Sequence, residues 1–518
     1  MTSNNPLLDF SGLPKFDQVK AEHVTPAITH LLENGRILIE KLATDSQEPT
    51  WDNFAKPLED MEEHISRAWS QVGHMNAVVN SPELREAYNA SLPKLTDFYS
   101  DLSQDERLYA KFRALKNSAG FSKLTSAQKK IIENEVRDFR LGGAELAESD
   151  KVRFKAIQES LSKLTTKFEE NLMDTTNDFA HFVENAADLK GVPEDAIQAA
   201  QEAAQADGKT GYKFTLHFPS YMPVLQYGEK RELRELLYRA YATRASEFGK
   251  PEWDNTNLIS EILKLRLEAA KLLGFKNYAE MSLATKMADS PKEVINFLDN
   301  LAQRAKPFAQ QDMKELIEYA KKLGINNMQA WDVAFVSEKL REDKYAFSDQ
   351  EVKQYFPEEQ VLHGLFKVVE TIFGVHVKKS DASVWHADAA FYEINDQHGK
   401  PVGQFYLDLY ARNNKRGGAW MDEAITRRKK GDHIETPVAF LTCNFSAPVG
   451  GKPALFTHDE VITMFHEFGH GLHGLLSQVR FPRLSGTSVL RDFVEFPSQV
   501  YENWLMQPQI LKQFALHA

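Results

Sequence analysis

The sequence predicts a mainly α-helical fold that carries one small β-sheet, and three observations point that way. Apolar residues recur at helical spacing through most of the first 380 positions. Alternating apolar and polar residues, the mark of strands, dominate only two stretches. A capped helix follows the second of these, with His466 and His470 four residues apart on it.

The helical pattern is clear after Val152, where Ile157, Leu161, Leu164, Phe168 and Leu172 recur at spacings of four, three, four and four. That spacing makes one stripe, with Lys and Glu filling much of the rest, as on a helix with a single buried face. Similar stripes contain Ile28, Leu31 and Leu32, and Ile259, Ile262, Leu263 and Leu267. No fixed-period repeat is present, which argues against a regular solenoid.

Of the two alternating stretches, residues 212–218 end at Pro219 and predict a strand. Residues 390–394 and 403–410 flank a turn containing Asp396 and Gly399 and predict a hairpin, with a further strand over 437–442. Between that strand and the capped helix, residues 447–453 hold Pro448, Gly450, Gly451 and Pro453, and predict a loop.

Composition narrows the class. With 42% hydrophobic and 26% charged residues the chain reads as globular and soluble. A net charge of −12 disfavours nucleic acid and anionic membrane surfaces. The basic run Arg427–Lys430 is expected to be a solvated loop. The single cysteine, Cys443, excludes an internal disulfide. Residues 1–6 have neither the basic nor the apolar part of a leader, and no run approaches the ~18 apolar residues of a membrane span. The expected setting is the cytoplasm, with a monomer favoured.

The chemistry concentrates in one helix. Thr457 followed by Glu460 fits a capping box, and Val461, Met464, Phe465, Phe468, Leu472 and Leu475 then supply a buried face. Four residues apart, the rings of His466 and His470 project side by side, in reach of one ion. Glu467 lies about 100° round the helix, where it can reach a metal-held water without becoming a ligand. The competing reading is a chance HExxH on an ordinary amphipathic helix. Against it, Gly469, Gly471 and Gly474 each cost about 1 kcal/mol relative to Ala inside a helix. That cost implies a close approach to the backbone, by a neighbouring helix or an extended substrate.

A catalytic zinc needs a third protein ligand and one open position. His473 and Leu476 stand where a metzincin has Gly and His, so the ligand is expected downstream. Asp492, Glu495 and Glu502 are the candidates. Glu495 is favoured because Phe493, Val494 and Phe496 surround it, and an unpaired carboxylate buried there would be costly. Asp492 is expected to support a ligand or cap a helix, and His458 and His473 to be supporting or surface groups.

These residues resemble the thimet oligopeptidase family of zinc metallopeptidases. The resemblance rests on residues 456–473, on Ser485-Gly486-Thr487, on Arg491–Gln499 and on Glu502-Asn503-Trp504. Upstream it includes 405–412, Lys415–Trp420, Thr442–Phe445 and the opening Asn5–Leu8. It implies one zinc ion per chain held by His466, His470 and Glu495, with Glu467 as the general base activating a zinc-bound water. The implied fold is a two-lobed helical metallopeptidase around a deep channel, with the small sheet beside the zinc. Residues 1–145 would form one wall and 146–518 the catalytic domain. Short peptides would be the substrates, cut internally. Apart from the resemblance, a strand such as 437–442 is either a site for strand addition by an extended peptide or internal to the sheet. Because the family continues well beyond the position of Ala518, the catalytic domain is expected to be truncated. The alternatives are therefore a zinc- and peptide-binding fragment with impaired catalysis, or a dipeptidyl carboxypeptidase with the same zinc site.

Overall fold

The computed structural model describes residues 4–517, so Met1–Ser3 of the opening stretch and Ala518 lie outside it. Helices dominate, the longest being Pro291–Lys322, Glu148–Asp178 and Ala21–Thr44. No helix among the described residues is long and apolar enough to cross a membrane.

The strands are short and cluster late in the chain. Two of them, β1 (His181–Val183) and β2 (Tyr212–Phe214), pair antiparallel. Then follow β3 (His376–Ser380), β4 (Ala390–Asn395), β5 (Pro401–Tyr410) and β6 (Trp420–Ile425). After the small hairpin of β7 (Arg428–Lys430) and β8 (His433–Glu435), β9 (Val438–Phe445) completes the set. The main sheet runs in the order β3-β4-β5-β9-β6, with β5 and β9 parallel and every other pair antiparallel.

Side chains alternate across this sheet, and each face meets a different layer. Tyr406, Val438 and Phe440 join the core of the N-terminal helices, with Ile28, Val72 and Phe98. Phe405, Leu407, Ala439 and Leu441 face the other way, onto Phe465, Phe468 and Leu472 of the helix His458–Leu475. Being covered on both sides, β9 carries an almost unbroken apolar run. The sheet is thus the floor on which the histidine helix rests.

Four expectations need correction. The strand over 212–218 shrinks to β2, because a helix starts at Phe218. Pro219 sits in its first turn, where a missing N–H costs nothing, and Ser220 Oγ accepts from the Thr215 N–H. The basic run is no solvated loop throughout. Arg428 is buried, with Nε donating to Glu435 at 2.7 Å and its guanidinium 3.0 Å from Glu63 and 3.3 Å from Asp60, which pins the β7–β8 hairpin to the helix Lys56–Val78. Of the stripe of Ile259, Ile262, Leu263 and Leu267 only Ile262 is buried, since the helix Thr256–Leu272 packs through Ile262, Leu265, Ala269 and Ala270. On the helix Glu148–Asp178 the predicted stripe is fully buried at Ile157 and has surfaced by Leu172. The hairpin of β4 and β5 and the stripe of Ile28, Leu31 and Leu32 are found as expected.

Candidate metal centre

The histidine helix begins as its sequence dictates. Thr457 Oγ1 accepts from the Glu460 N–H at 3.1 Å, while the Glu460 carboxylate accepts from the Thr457 N–H at 2.8 Å. All six residues of the predicted apolar face are buried.

The three glycines have three different neighbours. A Cβ on Gly469 would stand 2.7 Å from the Ser498 Cα, on the helix Glu495–Leu505. One on Gly471 would meet the Leu441 side chain of β9 at 3.1 Å, and one on Gly474 the Glu423 carboxylate of β6 at 3.0 Å. The close approach is therefore a helix crossing on one side and the sheet on the other.

That crossing brings Glu495 to the histidines. Its Oε2 lies 3.0 Å from Nε2 of His470 and 3.2 Å from Nε2 of His466. Donor atoms of the three residues all fall within 4.8 Å of one another. In a tetrahedral site with ligand distances of about 2.0–2.1 Å, donor atoms stand roughly 3.3 Å apart, close to the two distances from the Glu495 oxygen. Asp492, Glu502, His458 and His473 do not join this group.

Glu502 has a different place. Its Oε1 is 2.7 Å from Nδ1 of His466. With the Nδ1 proton donated to that carboxylate, Nε2 is the ring nitrogen that faces the Glu495 oxygen, 3.2 Å away. The donor set fits a zinc ion.

Burial sets the protonation of the remaining groups. It pushes the Glu467 carboxyl up to about 7, with His466 opposing and Glu495 reinforcing the rise. It also lowers the His470 pKa, which keeps that ring in the neutral form a metal requires. Nδ1 of His470 is buried without a partner.

Three sequence arguments fare differently here. Glu495 is not buried: its side chain is 52% exposed, and Phe493 and Phe496 are exposed beside it. The desolvation reason for choosing it fails, and convergence with the two imidazoles replaces it. Asp492 neither caps the helix nor touches the histidines; its Oδ2 accepts from the N–H groups of Met287 and Ala288 at 2.7 and 3.0 Å. Strand β9 has no free side for a peptide, because β5 and β6 flank it. The edge strands are β3 and β6, and on β6, the neighbour of β9, Ser70 Oγ already donates to the Glu423 carbonyl at 2.7 Å. Sequence reasoning placed Glu502 among possible ligands without finding its contact. The signal was its spacing, since Glu495, Ser498 and Glu502 at i, i+3 and i+7 share one face of their helix.

Comparison with known proteins places this geometry in context. The model of peptidase family M3 matches residues 224–518, and that of the neurolysin/thimet oligopeptidase N-terminal domain matches residues 28–151. Oligopeptidase A of Haemophilus influenzae is 48% identical over 523 residues, covering 100% of this chain and 77% of the relative. Oligopeptidase A of Escherichia coli is 45% identical, covering 99% of this chain and 76% of the relative. The dipeptidyl carboxypeptidase of Escherichia coli is 33% identical, with 100% and 76% covered. Among solved structures, a putative oligoendopeptidase F has a TM-score of 0.54 at 13% identity, over 97% of this chain and 72% of that one, which is a likeness of fold.

Proposed function

Because the chain belongs to peptidase family M3, we propose that it cleaves oligopeptides with one zinc ion held by His466, His470 and Glu495, and with Glu467 as the general base. Metallopeptidase activity on oligopeptides follows from the family and from 48% identity to an oligopeptidase A. The ligand assignment is carried by one observation, the meeting of two imidazole nitrogens and one carboxylate oxygen within 4.8 Å.

When bound, zinc supplies a water made nucleophilic near neutral pH, its pKa lowered to about 7, and positive charge beside the carbonyl oxygen. The protein's own groups do the rest. Glu467, next to the ligand His466, takes the proton of the attacking water and returns it to the leaving amine. Glu502 fixes the tautomer of His466 and so the direction of its free nitrogen. Ser498 Oγ donates to the Glu495 carbonyl at 2.7 Å and so braces the start of the helix that carries the carboxylate.

The proposed organisation is two helical lobes around a channel, with residues 1–145 as one wall and 146–518 as the catalytic domain. A core shared between the N-terminal helices and β5, β6 and β9 supports a wall held rigidly to the sheet. A narrow channel would restrict substrates to short, unfolded peptides. A cytoplasmic setting fits a chain whose single cysteine is buried and free.

The test is hydrolysis of an internally quenched peptide with a blocked C-terminus. Internal cleavage that a chelator abolishes and zinc restores is expected. Cleavage indifferent to the chelator contradicts the metal reading. Dipeptide release from unblocked peptides alone would make the enzyme a dipeptidyl carboxypeptidase, like its 33% identical relative.

A further inference from the structure

Glu495 reaches the histidines from the end of an exposed turn. Residues 491–494 form this turn, in which only Val494 is buried, and the helix bearing the carboxylate starts directly after it. Something must fix where the turn sits, because a 1 Å shift of the helix start would move the carboxylate by a similar amount.

Two anchors are visible. At the near end, Ser485-Gly486-Thr487 threads between β6 and the histidine helix, so that a Cβ on Gly486 would stand 2.6 Å from the Glu423 carboxylate and 2.8 Å from the Gly474 Cα. In the turn itself, a single oxygen of Asp492 accepts from two consecutive backbone N–H groups, those of Met287 and Ala288. Those residues lie 205 and 204 positions away, just before the helix Pro291–Lys322. Among the described residues, no other hydrogen bond or ion pair joins 256–345 to 376–516.

We infer that Asp492 is a positioning residue for the metal centre: it ties the turn that delivers Glu495 to the segment 284–289, and so couples the placement of that segment to metal affinity. The inference rests on the ligand assignment proposed above. Coupling of this kind is reciprocal. If the tie improves metal binding, metal binding must in turn protect the Met287 and Ala288 amides.

The experiment uses the full chain and two readouts that need no activity. Zinc affinity is measured by competition with a chromophoric chelator, and exchange of the 284–290 amides by hydrogen–deuterium exchange with and without zinc. Asp492→Ala is expected to weaken zinc binding about 10-fold, the lower end of the loss seen when groups that orient ligands are removed. It should also speed exchange at Met287 and Ala288. Asp492→Asn keeps an acceptor oxygen and should recover most of both. In the wild type, zinc should slow exchange of those two amides. Should Asp492→Ala fail to fold, Asp492→Glu lengthens the arm by one methylene and carries the same test.

Unchanged zinc affinity in Asp492→Ala, or amides that exchange alike with and without zinc, overturns the coupling while leaving the ligand assignment intact. A wild-type chain that binds no zinc overturns the ligand assignment, and this inference with it.

Discussion

Oε1 of Glu502 stands 2.7 Å from Nδ1 of His466, on the side of the ring away from Glu495. One ring is thus held between two carboxylates of one helix, each on a different nitrogen. Removing the outer one should leave the ligands in place but their orientation free. Glu502→Ala is predicted to lower zinc affinity 10- to 100-fold, with Glu502→Gln, which still accepts a hydrogen bond, less affected. Competition with a chelator measures both. Equal affinity in all three proteins would mean that His466 needs no outer partner.

The helix crossing at Gly469 leaves no room for a methyl group. In Gly469→Ala the new Cβ would meet backbone at Ser498, which can move only with its helix, and overpacking of this kind costs about 1–3 kcal/mol. In Gly471→Ala the neighbour is the Leu441 side chain, which can shift, and about 1 kcal/mol of helix propensity is gained in return. Thermal unfolding of the metal-free proteins should therefore rank wild type and Gly471→Ala close together and well above Gly469→Ala. Zinc affinity should fall with Gly469→Ala alone. A harmless Gly469→Ala would contradict the crossing.

Burial pushes the Glu423 carboxyl on β6 up to about 7, against a hydrogen bond from Thr426 and with the Asp422 charge adding to the rise. A carboxyl with its pKa raised in the folded state holds a proton there that the unfolded chain has already lost. Its contribution to stability must fall as pH climbs from about 4.5 to about 7, and stay level above. Glu423→Gln removes that fall. Denaturant unfolding of the metal-free chain at pH 5 and pH 8 should show the variant gaining on the wild type at the higher pH. A constant difference between the two would show that Glu423 does not titrate in this window.

These particulars also mark what a sequence can carry. The capping box of Thr457 and Glu460 and the shared face of His466 and His470 depend on neighbours three and four residues away, so they were legible. The glycines of the same helix announced a close approach but not its source, since Ser498, Leu441 and Glu423 come from three separate segments. Glu495, Asp492 and Glu502 were the candidate carboxylates in the sequence, yet their different places depend on how two helices cross. The argument from burial pointed to Glu495 although that side chain is half exposed. Sheet order was hidden for a related reason. Strand β6 precedes β9 in the chain but lies outside it in the sheet, so no local pattern shows which of the two has a free edge. The same holds for Arg428, whose carboxylate partners Asp60 and Glu63 lie far back in the chain.

The central claim is that His466, His470 and Glu495 hold the metal while Glu467 moves the proton, and the Glu467→Gln protein separates the two duties most directly. Zinc content and peptide hydrolysis are measured on the same purified sample. The predicted result is one zinc per chain, as in the wild type, with hydrolysis reduced at least 100-fold, since a positioned general base contributes about 10²–10⁴. Hydrolysis at the wild-type rate, or zinc lost with that single substitution, would contradict the account.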